Sequence, residues 1–282
     1  MEFDCPFAAP GQWLKGNLHV HTTASDGVVE PQQRVAAYAE RGYDFLALTD
    51  HGVVADVEAL EPGPLVVLRG IEAHAPMPTG GTQAHIVAVG LPAGFRPPEA
   101  QHAQTLIDAL AATGAPVIVA HPYWCGQTSR DLEVLHGYHG IEVFNTTCLR
   151  GIGKGTSAVH WDELLSQGRR LFGVAVDDAH GATHDAFQGW IMVKAAERTA
   201  EAVVAAVRAG RFYASCGPAF EAVWVEEGAV HARTSPVAHI SFVCDGPRGG
   251  HCFHEDGSPV TEAAYRPPAD ARFVRVEATD ER

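Results

Sequence analysis

The chain has 282 residues, of which 46% are hydrophobic and 19% charged, an ordinary globular composition that argues against disorder, collagen-like repeats and coiled coil. Its formal net charge of −14 gives a surface field that repels phosphate backbones, which disfavours a nucleic acid polymer as partner. No apolar run approaches membrane-spanning length, and the six cysteines (Cys5, Cys125, Cys148, Cys216, Cys244, Cys252) lack any C-x-x-C spacing, so neither a zinc ribbon nor a disulfide framework is expected and the chain reads as a reduced, cytoplasmic protein. One count is out of the ordinary: 16 histidines against 20 lysines and arginines together.

The N-terminal stretch is acidic near its start and does not read as a secretory signal. From residue 17 to about 195, short β-branched apolar runs alternate with helical patterns, as in βα units wound around a parallel sheet. The strand-like runs are 17–21, 45–49, 65–71, 86–89, 117–120, 141–144, 171–176 and 190–193. Helices are predicted over 31–42, which opens with Pro31 and closes at Gly42, and over 99–114, 156–168 and 199–210, each ending at a glycine. The economical architecture is a distorted (β/α)7 TIM-like barrel. After Cys216-Gly217-Pro218 the pattern becomes short alternating strands with no helix. This divides the chain into a barrel over 1–216 and a small antiparallel β appendage over 217–282, too small to carry much core alone.

In a barrel of parallel strands, function gathers where the C-terminal strand ends converge on one mouth. The first run ends in His19-Val20-His21, two residues on one face, and Asp26 follows in the next turn. Later runs end in Thr49-Asp50-His51, Gly70-Ile71-Glu72, Ala120-His121-Pro122, Phe144-Asn145 and Asp177-Asp178-Ala179-His180. Any one of these alone is weak, but so many imidazoles and carboxylates in one register would leave unpaired polar groups costing roughly 1–3 kcal/mol each. A cluster of divalent ions removes that cost.

These motifs carry a resemblance. H-x-H-T-x-x-S-D-G at 19–27, T-D-H at 49–51, G-x-E at 70–72, A-H-P at 120–122 and D-x-H at 178–180, in that order, resemble the PHP (polymerase and histidinol phosphatase) family of metal-dependent phosphoesterases, whose fold is a distorted seven-stranded barrel. The stretches I-E-V-F-N at 141–145, G-W-I-M-V from 189 and G-R-F-Y-A-S-C-G-P at 210–218 are similar to the carbaryl-hydrolase-like branch of metallohydrolases. The resemblance implies a trinuclear site. One ion would be held by His19, His21, Glu72 and Asp178, with Glu72 bridging to a second that also takes His121. A third would be held by Asp26, His51 and His180. The second ion takes a further His, for which His85 is the candidate, although it stands at the start of its apolar run. Ligation by His, Asp and Glu without thiolate suits two or three ions of Mn, Fe or Zn.

The implied reaction is hydrolysis of a small phosphorylated molecule, such as a nucleotide, by a metal-activated hydroxide. Glu72, Asp50, Asp178 and His180 are the catalytic candidates, with Asp50 read either as a proton-handling group or as a loop cap. Arg150, Lys154 and Asn145 are candidates to bind substrate, the first two as counter-charge for phosphate. His74 and His184 lie near motif loops, and Cys125 reads as a structural thiol. Two alternatives stand: hydrolysis of a carboxylic or carbamate ester at the same metals, favoured by a pocket without Arg or Lys, and a non-catalytic metal-binding domain. Oligomeric state is not legible.

Overall fold

The computed structural model describes residues 5–280. A nine-stranded sheet is built from β1 (Gln12–Asn17), β2 (Phe45–Leu48), β3 (Val66–Pro76), β4 (Gln83–Val89), β5 (Val117–Val119), β6 (Gly140–Asn145), β7 (Phe172–Val176), β8 (Trp190–Ala195) and β9 (Phe212–Ser215), in the order β7-β6-β5-β4-β3-β2-β1-β8-β9. The helices are α1 (Pro31–Glu40), α2 (Ala103–Ala111), α3 (Ser129–Glu133), α4 (Thr146–Ile152), α5 (Ala158–Ser166) and α6 (Ala200–Arg208). This is the distorted TIM-like barrel with small antiparallel sheets that the residue pattern predicts. Among the described residues no helix is long and apolar enough to cross a membrane.

The sheet is less regular than a parallel barrel, and the departures have physical causes. β4 runs antiparallel to both β3 and β5. Only residues 77–82 join β3 to β4, and a parallel return needs a crossover of a dozen or more residues. β8 is antiparallel to β1 and to β9. The first strand also sits earlier than the apolar run at 17–21 suggests: residues 12–17 pair with β8 and with β2, after which the chain forms a parallel bridge from Val20 to Ala179 and a bond from the Thr49 amide to the Val20 carbonyl. The short elements α3, α4 and β9 lie in stretches whose composition carries no clear period.

The bridge at Val20 closes the barrel at its mouth. The Asp178 amide donates to the His19 carbonyl at 2.8 Å, and the His21 amide to the Ala179 carbonyl at 3.0 Å. Two buried polar groups hold this seam. Arg34, on α1 and fully buried, donates from Nε to the His21 carbonyl at 3.1 Å, from Nη1 to Gly181 at 2.8 Å, and from Nη2 to Ala179 and His180, both at 3.2 Å. Asp177 accepts three donors on each oxygen: Asn17 Nδ2, Tyr38 Oη and the Phe187 amide on Oδ2, and Thr146 Oγ1 with the Gln188 and Gly189 amides on Oδ1. Burial pushes the Asp177 carboxyl up against the pull of these donors.

Apolar packing surrounds this polar seam. One cluster fills the barrel axis and the face of α6, with Leu18, Phe45, Leu68, Val89, Ile118, Val176 and Val203 among its members. A second packs α2, α3 and α5 against β3–β6, and a third sets α1 against β2. Beyond β9, β10 (Phe220–Glu226), β11 (Ala229–Val237) and β14 (Val260–Tyr265) form one three-stranded sheet, and β12 (His239–Cys244), β13 (Gly249–Phe253) and β15 (Val274–Thr279) another. They share a small core around Ile240, Phe242 and Val260. Tyr213 meets Phe220 at 5.5 Å and Arg275 pairs with Asp162 of α5 at 3.1 Å.

Replacing Arg34 by Met leaves the His21 and Gly181 carbonyls without a donor and removes one of two donors from those of Ala179 and His180, so the unfolding free energy in urea should fall by about 2–4 kcal/mol. Arg34→Lys should recover little of this, because one ammonium cannot reach four carbonyls. A wild-type midpoint for Arg34→Met would contradict the role assigned to the guanidinium.

Candidate metal centre

The mouth segments after β1, β2, β3 and β7 ladder onto one another, and that ladder aims the side chains. The Thr49 amide donates to the Val20 carbonyl and the Glu72 amide to the Thr49 carbonyl, both at 3.0 Å, and His51 bridges to Glu72. His19, His21, Glu72, His121 and Asp178 are all buried. The antiparallel course of β4 accounts for His85: the start of that strand lies at the same end of the sheet as the end of β3, with His85 directly opposite His74.

Glu72 stands at the centre. Its Oε2 lies 3.1 Å from His19 Nε2, 3.2 Å from His21 Nε2 and 3.0 Å from His51 Nδ1. Its Oε1 lies 2.8 Å from His85 Nδ1 and 3.1 Å from His121 Nε2. Asp178 Oδ1 is 3.0 Å from His21 Nε2 and 3.3 Å from His19 Nε2, which are themselves 3.1 Å apart. A tetrahedral ion with bonds of about 2.0–2.1 Å has ligand edges of about 3.3 Å, close to the five edges measured in this tetrad. Beyond it, Asp26 Oδ2 lies 3.4 Å from His180 Nε2 and 3.6 Å from His51 Nε2, and Asp26 Oδ1 3.7 Å from His21 Nδ1. Asp26 is the exposed member, at 56%. All nine expected ligands therefore converge.

The donor chemistry fits cations. Glu72 Oε2, His21 Nδ1 and His51 Nδ1 are buried and have no hydrogen-bond partner, a costly arrangement unless an ion completes it. Burial alone would raise the Glu72 carboxyl, yet the charge on His19 and the close approach of His121, His19 and His21 hold it well below the usual carboxylate range. Burial alone would lower His21, but its contacts with Asp178 and Glu72 take it to about 9. His19 and His121 are likewise held well above the ordinary imidazole range against their own burial, by Asp178, Glu142 and Glu72 for the former and by Cys125 and Glu72 first for the latter. The three carboxylates thus demand positive charge, supplied by protons when no cation is bound.

Neighbouring groups settle which nitrogen faces the cluster. His19 Nδ1 donates to Glu142 Oε1 at 2.6 Å and His180 Nδ1 to the Asp178 carbonyl at 2.7 Å, leaving each Nε2 for a ligand role. His121 and Asp178 hold positive φ of 27° and 56°, as do Phe187 and Glu227 alone among the other described non-glycine residues. Such backbone costs about 1–3 kcal/mol and clusters at sites that need a side chain aimed. Three further bonds hold the two residues there: Thr147 Oγ1 to the Asp178 carbonyl at 2.6 Å, the His121 amide to Glu142 Oε2 at 3.0 Å, and Asn145 Nδ2 to Asp178 Oδ2 at 3.1 Å. Gly27 closes the Asp26 turn where a Cβ would lie 2.7 Å from the His21 backbone.

The remaining candidates fall elsewhere. Asp50 accepts from the Thr22 amide at 2.7 Å, Thr22 Oγ1 at 2.8 Å and Ser25 Oγ at 2.8 Å, so it holds the turn that carries Asp26. Asn145 is buried, bonded to Glu142 and Asp178, and caps α4 through the Cys148 amide. Arg150 bonds Gln188, and Lys154 lies over the Tyr123 ring at 5.2 Å. A cavity of about 250 Å³ opens on the cluster and is lined by Asp26, His51, Glu72, His85, His121, Trp124, Thr147, Cys148, Asp178 and His180. Neither Arg150 nor Lys154 lines it. His74 borders an adjoining hollow with Ser25, Asp26, His51, Gln83 and His85. Cys125 Sγ lies 3.4 Å from His121 Nδ1. Sequence reasoning missed Glu142, whose signal was a carboxylate inside an apolar strand run, and it missed Trp124, Thr147 and Cys148, which carried none.

Below pH 9 the metal-free site holds a proton on His21, so an incoming ion must displace it and affinity should rise with pH up to that value. Calorimetry with Mn or Zn at pH 7 in Tris and in HEPES should show at least one proton released as the ion that His21 would hold binds. A buffer-independent enthalpy would refute this. Glu142→Gln should weaken the ion about 10- to 100-fold by loosening His19.

No protein-family model matches the sequence. The chain is 32% identical over 134 residues to the phosphoribosyl 1,2-cyclic phosphate 1,2-diphosphodiesterase of Eggerthella lenta, a match covering 43% of this chain and about half (51%) of that protein. It is 43% identical over 47 residues to the 5'-3' exoribonuclease of Haemophilus influenzae, 17% of each chain. In three dimensions it resembles a two-domain protein of Bacteroides vulgatus described as containing a predicted PHP-like metal-dependent phosphoesterase, with TM-score 0.57, 19% identity, and coverage of 94% of this chain and 86% of that one. At that identity the likeness is one of fold. The resemblance carried by the ordered motifs is thus matched in three dimensions: the chain has the fold of the PHP-like metal-dependent phosphoesterases.

Proposed function

We propose that the chain is a metal-dependent phosphoesterase, a phosphatase or phosphodiesterase of small phosphorylated molecules, with up to three divalent ions at the barrel mouth. The observation that carries this reading is Glu72, a buried carboxylate with two imidazoles on one oxygen and three on the other. In this reading His19, His21, Glu72 and Asp178 hold one ion, Glu72, His85 and His121 a second, and Asp26, His51 and His180 a third. Divalent ions there would polarise phosphoryl oxygens and lower the pKa of bound water. Mn, Fe and Zn all suit the donors.

The protein's own part is positional and electrostatic. Glu142 orients His19 and fixes the strained His121 backbone, Asn145 holds Asp178, and Asp50 ties down the Asp26 turn. In this reading Asn145, Arg150 and Lys154, expected from the sequence to bind substrate, take other places: Asn145 positions Asp178 and the two cations sit on an outer rim. A small substrate is favoured over a polymer by the confined cavity and the net charge of −14.

A second reading, hydrolysis of a carboxylic or carbamate ester at the same metals, is favoured by one observation: no Arg or Lys lines the cavity. The ions would themselves supply the counter-charge that a phosphate needs, which keeps the phosphoester first. The protein loaded with Mn should hydrolyse p-nitrophenyl phosphate or bis-p-nitrophenyl phosphate faster than p-nitrophenyl acetate, and His19→Ala, Glu72→Ala and Asp178→Ala should each lower kcat/KM by about two to three orders of magnitude. Preference for the acetate would shift the assignment to the ester, and full activity in the three variants would discard the site.

A further inference from the structure

The floor of the cavity is polar and accounted for, but one wall is not. Trp124 lines the cavity and is 42% exposed, an unusual place for an indole unless something covers it. Its ring meets His121 at 5.1 Å and 79°, and His85 at 5.8 Å and 69°. Edge-on contacts with two rings of the cluster fix the indole plane beside the metal floor. The backbone that carries it is a bonded turn: the Cys125 amide donates to the His121 carbonyl at 3.1 Å, Gly126 to Tyr123 at 3.1 Å and Gln127 to Pro122 at 3.0 Å. The Tyr123 amide is tied to Ser157 Oγ at 3.3 Å. The turn therefore places the indole beside the two imidazoles.

The rest of the cavity agrees. Its volume of about 250 Å³ equals that of roughly eight waters at about 30 Å³ each, room for a ring-sized body beyond a phosphoryl group. Among the described residues no Arg or Lys lines it and Trp124 is its one large apolar side chain, so apolar area for the group attached to phosphorus is offered chiefly by the indole. Tyr123 and Leu149, next in the chain to the lining residues Trp124 and Cys148, are also exposed, at 41% and 40%.

We propose that Trp124 is the platform on which the alcohol part of the substrate stacks, so that the site prefers phosphoesters whose alcohol carries a planar ring, an aryl group or a nucleobase. This inference rests on the phosphoesterase reading above. Stacking of a ring on an aromatic side chain predicts a roughly ten- to hundredfold affinity gain.

The test uses metal-loaded protein and ligands that need no turnover. Phenylphosphonate should bind roughly ten- to hundredfold tighter than methylphosphonate to the wild type by calorimetry, equally to Trp124→Ala, and with most of the preference kept in Trp124→Phe. Adenosine 5'-monophosphate against ribose 5-phosphate separates a nucleobase from a simple aryl group. Unchanged metal stoichiometry and thermal midpoint in the variants show that the site is intact. Equal affinity for the ring-bearing and ring-free ligands in the wild type, or a preference that survives in Trp124→Ala, overturns the platform. A ring preference that depends on Trp124 but comes without hydrolysis of any phosphoester leaves the platform standing and removes the phosphoesterase reading instead.

Discussion

Glu72 is buried with five imidazoles around its two oxygens, and this one group sets the terms for the rest of the mouth. A carboxylate taken out of water needs positive charge nearby or it does not stay ionised. Asp178 and Glu142 add to that demand within the same few ångströms. The imidazoles answer it only by holding protons they would lose in water, with His21 raised to about 9. Cations would answer it better, because they satisfy the orphaned oxygen and nitrogens together.

Holding such a cluster requires a scaffold that does not yield, and the chain builds it from further buried polar groups. Arg34 ties the His21 segment to residues 179–181, and Asp177 gathers six donors from β1, α1, α4 and the loop before β8. Both are fully satisfied, so they convert a costly burial into a rigid one. The strain at His121 and Asp178 is sustained beside it by Glu142, Asn145 and Thr147. Function and stability meet at one seam, where the segments that follow β1 and β7 join through the bridge from Val20 to Ala179.

Much of this was legible in the residues. The ordered polar strand ends gave the cluster, and helix stops at Gly42, Gly114, Gly168 and Gly210 marked real positive-φ turns. What escaped were features without local periodicity. β13 and β14 carry Gly or Ala where a strand pattern wants branched residues, and α4 begins directly at the end of β6. The reversal at β4 was in principle readable from the short connection, and recognising it would have removed the objection to His85. Asp50 and Asn145 were visible as polar strand-end residues, but their hydrogen bonds show them holding the site from behind.

The sequence by itself marked the candidate ligands and roughly the order in which they would meet, because strand ends of a βα barrel must converge whatever their exact register. Only the tertiary structure decided that His85 and His121 share one Glu72 oxygen while His19, His21 and His51 surround the other, that Glu142 stands behind His19, and that Trp124 walls the cavity. Those facts depend on contacts between residues from 13 to 123 positions apart, where packing and hydrogen bonding across the barrel set the geometry and no local pattern records it.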